Sequence, residues 1–317
     1  MDKKILKYIK EYNWSNIFSM LRNNRLAPKI CDDNFKNKLV VITGATSGIG
    51  YSTAKKYASM GADLLCINRN SDKSKSLKNE IEKKYGVKCD FILADLSNLK
   101  DIENVVEKLL KLPKHIDVLI HNAGIYLTKK QLTTDGLDMV FVVNYLSSFL
   151  INYLLMDKLK KEGNTRILLV GSEGHRFAAW GINVEDMNFE KNKYSAYKSY
   201  GLSKTAQILS MNILNKRFKD SGVTINTMHP GAVKSETGKE NGVFYRWFKK
   251  SIFDRMLDSP DTSAEALYYL GVSKEIEGVS GKFFNKTTLE QPAPPALDKE
   301  VAEKLWEKSI EIYEENK

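Results

Sequence analysis

The run Leu39-Val40-Val41-Ile42-Thr43 breaks directly into Gly44-Ala45-Thr46-Ser47-Gly48-Ile49-Gly50, after which a helical pattern begins. A strand that empties through glycines into a helix strongly limits the architecture. Glycines let the backbone turn tightly and bring its N–H groups close to an anion, and the following helix points its positive dipole end at the same place. Turns use glycine for other reasons too. Position decides here, because this turn stands first in a series of alternating strand and helix patterns.

That series predicts strands at Leu39–Thr43, Ala62–Ile67, Lys88–Leu93, Val118–His121, Arg166–Gly171 and Val223–Met228, with a short last strand at Gly281–Asn285. Helical patterns such as Gly48–Met60 and Ser71–Tyr85 lie between them. The early runs are nearly continuous in apolar residues, as expected of strands covered on both faces. The repetition predicts an α/β fold: a Rossmann-type, doubly wound parallel sheet with helices on both faces and an N-terminal helical extension.

The formal net charge is +10. Half of this excess falls in residues 1–30, where Lys3, Lys4, Lys7, Lys10, Arg22, Arg25 and Lys29 face only Asp2 and Glu11. A basic balance suits nucleic acid, a membrane surface or an anionic cofactor. The remaining lysines are mixed with acids, and no helix-turn-helix or zinc pattern is present, so no nucleic-acid partner is expected. Cys31, Cys66 and Cys89 have neither metal spacing nor a disulfide framework, which predicts no metal and a reducing, cytoplasmic setting. No run approaches the roughly 20 apolar residues of a membrane-spanning helix, and no secretory signal is expected.

The end of the second strand selects the dinucleotide. An NAD enzyme usually places an acid there for the ribose 2′-hydroxyl. This chain reads Ile67-Asn68-Arg69-Asn70, with no carboxylate. The planar fork of Arg69 can pair with a 2′-phosphate, and Ser47 adds a hydroxyl. NADP(H) is therefore expected over NAD(H), the alternative being that Arg69 is a solvated loop residue.

These features, with five further matches in order, resemble the short-chain dehydrogenase/reductase family over about residues 38–235. Its signature appears as Thr43-Gly44-x-x-x-Gly48-x-Gly50, followed by Asp95-Leu96, Asn122-Ala123-Gly124, Ser172, Tyr200-Gly201-Leu202-Ser203-Lys204 and Pro230-Gly231. Asn144-Tyr145-Leu146, His229-Pro230-Gly231-Ala232-Val233 and Ser280-Gly281-Lys282-Phe283-Phe284 are most similar to its retinol-dehydrogenase-like branch. The resemblance implies cofactor contacts at Gly44, Thr46, Ser47, Gly48, Ile49, Gly50, Arg69, Asp95, Leu96, Asn122, Ala123, Gly124, Tyr200, Lys204, Pro230, Gly231, Val233 and Ser235. Asp95-Leu96 would meet the adenine and Ser235 the carboxamide. Gly171 departs from a commoner serine, and Tyr145 and Ser147-Ser148 depart from the branch's helix.

Carbonyl reduction needs a hydride on carbon and a proton on oxygen, the donor lying within hydrogen-bond reach of that oxygen. A free tyrosine titrates near ~10. A lysine four residues on shares its helix face and would favour the phenolate. Tyr200 and Lys204 have that spacing and form the expected acid/base pair. Ser172 would polarise the substrate oxygen. By resemblance, Asn144 would anchor a water that relays protons to Lys204. Each has a bland reading: a chance pair on a helix, a loop serine, a capping asparagine. Tyr194, Tyr197 and Lys198 lie just upstream as distractors. Glu173 and His175 beside Ser172 suggest a hydrolase, but no Gly-x-Ser-x-Gly elbow surrounds it.

The expected organisation is an amphipathic extension over 1–37, a catalytic domain over 38–290 with a substrate lid at 237–260, and a C-terminal helix within 291–317 packed on the domain. Asp298 would cap that last helix after Pro292-Ala293-Pro294-Pro295. The lid, placed there by the resemblance, carries Phe244, Tyr245, Trp247, Phe248 and Phe253, which suits a hydrophobic carbonyl or alcohol kept from water, the alternative being a helix pair packed on its own core. In the extension, Ile5, Leu6, Ile9, Tyr12, Ile17, Phe18 and Leu21 recur at helical spacing opposite basic residues. Such a helix either contacts a membrane peripherally through residues 1–30 or packs on its parent domain or a second subunit, and packing is the reading favoured here. The resemblance implies a homodimer through helices near 136–160 and 195–219. The chain thus reads as an NADP(H)-dependent carbonyl/alcohol oxidoreductase, with an idle NADPH-binding scaffold or redox sensor, or a nucleotide-sugar epimerase, as alternatives.

Overall fold

β1 (Leu39–Thr43) is buried at every position, and its side chains divide between two cores. Val40 and Ile42 enter one, and Leu39 and Val41 enter the other. A strand rich in β-branched residues and covered on both faces belongs at the centre of a parallel sheet. In the computed structural model of the protein, which describes residues 8, 10–12, 14–231 and 259–317, β1 lies there. It pairs in parallel with β2 (Asp63–Asn68), Val41 opposite Leu65, and with β4 (Val118–His121), Val41 opposite Leu119. Among the described residues the sheet has the order β3-β2-β1-β4-β5-β6-β7-β8. Here β3 is Cys89–Leu93, β5 Arg166–Val170, β6 Thr224–His229, β7 Phe283–Asn285 and β8 Thr288–Glu290. All pairs are parallel except β7 with β8. The strand order reverses between β1 and β4, the place where an open α/β sheet leaves a crevice.

The chain's first described helix of any length is α1 (Trp14–Asn23). Three helices, α2 (Gly48–Ser59), α3 (Ser71–Tyr85) and α8 (Pro260–Val272), bury their apolar faces in the core with Val40 and Ile42. Asn70 starts α3 by accepting from Lys73 N, and Gly86 ends it in the left-handed region at φ 68, as a helix stop requires. α8 sits directly on α2: a β-carbon on Gly271 would lie 1.9 Å from the Tyr57 hydroxyl, which donates to Leu267 O at 3.0 Å.

The opposite core receives α4 (Leu99–Leu110), α5 (Met139–Leu154) and α7 (Ala196–Arg217). The helix expected over 136–160 is bent by 56° between α5 and α6 (Met156–Glu162). Within α5 a π turn, Val142–Leu146, interrupts the ordinary ladder around Asn144. Among the described residues no single helix is long and apolar enough to cross a membrane.

The C-terminal helix α9 (Lys299–Glu315) starts at its expected cap, with Asp298 Oδ1 accepting from Glu300 N at 3.1 Å and Val301 N at 3.2 Å. It covers α5 and α7. Trp306 packs edge-on against Phe149 at 4.9 Å, and the Arg217 guanidinium lies 4.5 Å from the same indole's centre. α9 therefore occupies a face through which the resemblance implies pairing of two copies.

The described N-terminal residues pack on the same body. Tyr8 is buried and its hydroxyl donates to Asp298 Oδ2 at 2.9 Å. Asn23 donates to Glu290 Oε2 at 2.9 Å, Lys29 N donates to Thr287 Oγ1 at 2.8 Å, and the Tyr268 hydroxyl donates to Asp33 O. Phe18 and Leu21 face outward. The final strand β8 is a feature the sequence does not announce. Its turn uses Lys286 at φ 52 and no glycine, so nothing marks a hairpin there.

Candidate active site

The glycine turn between β1 and α2 needs its glycines for two different reasons. Gly44 and Gly48 have φ of 70 and 54, the region that side chains avoid. Gly50 needs space instead: a β-carbon there would lie 2.2 Å from Gly44 O and 2.5 Å from Asn122 Nδ2. Asn122, at the end of β4, clamps the turn by donating to Thr43 O at 3.1 Å and Gly44 O at 2.9 Å. Thr43 Oγ1 accepts from Asn122 N and Ala123 N, both at 3.0 Å. The switch point of the sheet is thus tied across β1 and β4 by hydrogen bonds.

A cavity of about 760 Å³ opens above this clamp. Gly44, Thr46, Ser47, Gly48, Ile49, Arg69, Asp95, Leu96, Asn122, Ala123, Gly124, Ser172, Tyr200, Lys204, Pro230 and Gly231 all line it. Gly50 and Asn144 are not among the residues that line it. Val233, Ser235 and the lid as far as 258 lie outside the described residues.

Whether these residues fit a dinucleotide can be judged on their own polar groups. Asn68 is buried at the end of β2, and its Oδ1 accepts from Ala45 N at 2.8 Å. Its Nδ2 has no protein partner although it is buried, a costly arrangement unless a ligand accepts from it. Ser47 stands at the N-cap of α2 without capping it, so its hydroxyl is not spent on the helix. Arg69 reaches Asp95 Oδ2 at 4.0 Å with 67% of its side chain exposed, a weak pair that an anion can displace. A buried donor without an acceptor, a helix N-terminus and an exposed guanidinium fit an anionic dinucleotide. No cluster of metal-ligating side chains occurs among the described residues.

At the other end of the cavity, α7 and the turn after β5 meet. Ser172 Oγ accepts from Gly174 N at 3.0 Å. Tyr200 is half-buried beside Ser172. Burial pushes its phenol up, and the bond to the Ser172 hydroxyl pulls the other way. Tyr126 lies edge-on to the Tyr200 ring at 5.5 Å. Lys204 Nζ donates to Val170 O at 2.9 Å and Gln207 Oε1 at 3.0 Å, and burial pulls its ammonium down to about 7. The amine is 5.7 Å from the centre of the Tyr200 ring. The ammonium is turned toward a carbonyl and an amide.

The spacing of Tyr200 and Lys204 recurs at Tyr194 and Lys198, so spacing alone does not choose between them. The fold does. Tyr194 precedes α7 and donates to Leu127 O at 2.9 Å, and Lys198 lies over Trp180. Asn144 is buried, and its carboxamide is used on protein groups. It accepts from Ile125 N at 2.7 Å and donates to Ile125 O at 3.0 Å and Ser203 Oγ at 3.1 Å.

Two contributors were not singled out from the sequence. One is Asn68. The other is Gly174, whose missing side chain leaves room for the Tyr200 ring. A glycine two residues after the candidate serine is the signal that could have found it.

Fold and cavity together define a Rossmann-type α/β protein with a nucleotide-sized crevice at the sheet's switch point. A family model described as short chain dehydrogenase matches residues 38–243. Retinol dehydrogenase 13 of Homo sapiens is 35% identical over 282 residues, which cover 87% of this chain and 84% of that protein. The chloroplastic short-chain dehydrogenase TIC 32 B of Brassica napus is 31% identical over 288 residues, 88% of this chain and 89% of that protein. Among solved structures, the short chain dehydrogenase from Shigella flexneri superposes with a TM-score of 0.65 at 18% identity, covering 84% of this chain and 96% of that one. The chain belongs to the short-chain dehydrogenase/reductase family of oxidoreductases, in its retinol-dehydrogenase-like branch.

Proposed function

We propose that the protein is an NADP(H)-dependent oxidoreductase that interconverts a carbonyl and an alcohol on a lipophilic substrate. The observation that carries this reading is that Ser172, Tyr200 and Lys204 line the same cavity as the glycine turn. A bound nicotinamide dinucleotide supplies the hydride in reduction and accepts it in oxidation. Tyr200 holds the proton that goes to the substrate oxygen, and takes it back in the reverse direction. Ser172 donates a hydrogen bond to the same oxygen, in a pocket where burial strengthens it. Lys204 keeps an amine within the buried wall behind Tyr200 and binds the cofactor's ribose. Asn144 holds the Ile125 loop to α7.

Arg69 and the unpartnered amide of Asn68, with no carboxylate at the end of β2, support NADP(H) over NAD(H). Ile125, Leu127, Met139 and Val143 also line the cavity and support an apolar substrate. The contacts of Tyr8 and Asn23 with Asp298 and Glu290 support packing of the extension on its own domain over a membrane role.

Fluorescence titration with NADPH and NADH, followed by an aldehyde and ketone panel, tests the reading. Tyr200→Phe is expected to reduce kcat by about a hundredfold or more. A wild type no faster than Tyr200→Phe on every compound would favour the binding scaffold instead.

A further inference from the structure

Ser172 opens a tight turn, Glu173–Phe177, whose anchoring plays no part in the reaction described above. Two of its residues hold it from outside. His175 is buried, with Nδ1 2.8 Å from Ser172 O and Nε2 accepting from Ala293 N at 3.1 Å. The backbone donor at Nε2 fixes the proton on Nδ1, where it bonds the Ser172 carbonyl. Arg176 donates from Nε to Glu173, from one Nη to Glu290 Oε1 at 2.7 Å, and from the same Nη to Gln291 O at 3.0 Å. The side chains of Arg176, Glu173 and Glu290 are only 10%, 14% and 2% exposed.

Glu290 passes the connection on. Its second oxygen accepts from Asn23 Nδ2 at 2.9 Å and from Asn285 Nδ2 at 3.3 Å. Asn23 is the last residue of α1 and is buried. Asn24 continues the contact, accepting from Asn285 Nδ2 at 2.8 Å and, at its carbonyl, from Lys286 Nζ at 3.0 Å. A continuous chain of polar contacts therefore runs from the N-terminal helix through β8 to the turn that carries Ser172. Apolar side chains would fasten a helix to a strand at less cost in desolvation. A guanidinium held by two carboxylates supplies direction instead, since its donors lie in a fixed plane.

We propose that α1 is an intramolecular latch on the active site: through Asn23 and Glu290 it fixes Arg176, and Arg176 fixes the turn that aims Ser172 at the Tyr200 hydroxyl. Asn23, Glu290 and Arg176 are then positioning residues. The inference rests on the catalytic role of Ser172 proposed above.

Glu290→Gln keeps the shape but not the bonding. Both carboxylate oxygens accept, so the amide that replaces one of them must face a donor. Asn23→Ala removes the latch from the other side and leaves the ion cluster in place. The full-length variants are assayed with NADPH and a long-chain aliphatic aldehyde, alone and combined with Ser172→Ala. Each single change is expected to reduce kcat about tenfold, the cost of a misaimed group, with the NADPH dissociation constant unchanged. In the Ser172→Ala background neither change is expected to lower kcat further, because the group it positions is gone.

Full kcat in both Asn23→Ala and Glu290→Gln overturns the latch, as does the same fold loss with and without Ser172, or a parallel loss of NADPH binding. If Glu290→Gln does not fold, Asn23→Ala carries the test. Wild-type kcat in Ser172→Ala overturns the catalytic reading itself, and is distinguished from failure of the latch because it appears without any change to α1.

Discussion

A β-carbon on Gly174 would lie 2.7 Å from Cε1 of the Tyr200 ring. The half-buried ring meets Tyr126 on its edge at 5.5 Å, which limits its room to retreat. Gly174→Ala is therefore expected to displace the phenol. A misplacement of about 1 Å costs on the order of a hundredfold in kcat, and overpacking costs about 1–3 kcal/mol in stability. Steady-state kinetics beside a denaturant melt separates the two effects. An alanine variant with normal kcat would mean that the ring's placement does not matter.

Gly50 is constrained by backbone, not by a side chain that can turn away. Its β-carbon would strike Gly44 O at 2.2 Å, so Gly50→Ala must open the turn clamped by Asn122. Loss of NADPH binding is expected together with a lower melting temperature, both measurable in one thermal-shift titration. Undiminished stabilisation by NADPH would show that the turn is not the binding element.

Arg69 separates the two dinucleotides. Arg69→Ala is expected to weaken NADPH about tenfold, roughly one charge-assisted hydrogen bond discounted for exposure, while NADH is unaffected. Equal losses for both cofactors would place the arginine's effect elsewhere than on a 2′-phosphate. Competition between Asp95 and the ligand for Arg69 gives a companion test: Asp95→Asn should improve NADPH binding or leave it unchanged.

Three buried imidazoles make the fold sensitive to acid. Burial pulls His121 down to about 4, and His175 and His229 to about 3, whereas in an unfolded chain they titrate near ~6.5. Between those values the unfolded chain binds protons that the folded one refuses. The stability they contribute is therefore complete above about pH 6.5 and is lost as pH falls toward 3. Glu173 has the opposite sign. Burial first raises its carboxyl to about 7, against the opposing Arg176, so it favours the fold as pH falls from about 7 toward its unfolded value of about 4.5. Each group changes stability by at most about 1.4 kcal/mol per pH unit, and three outweigh one. The melting temperature is expected to drop steeply between pH 6 and 4.5, roughly the window of unfolded histidine titration. His121→Gln should flatten that slope, and a pH-independent melt would contradict the burial of these rings.

Much of this was legible in the sequence because it depends on local pattern. β1 reads as a central strand since both faces of Leu39–Thr43 are apolar, and the glycine turn reads as a ligand site since a strand precedes it and a helix follows. β2 and β6 each begin and end one residue later than their apolar runs suggest, taking in Asn68 and His229. The polar end of a strand carries no hydrophobic signal. What could not be read is what depends on a third element. Gly174 matters only because α7 brings Tyr200 onto it, and the Lys204 amine turns to Val170 O only because β5 ends there. β8 carries no sequence signal because a lysine, not a glycine, occupies its turn.

β8 has one further consequence. It closes the row of strands among the described residues, and an outermost strand offers unpaired amides and carbonyls on which another molecule can add its own. The contacts of Asn23 and Asn24 with Glu290 and Asn285 lay the first helix beside that margin. A chain clipped ahead of Leu39 would bare this template as well as lose the latch at Asn23, and self-adhesion in solution would accompany its slower turnover.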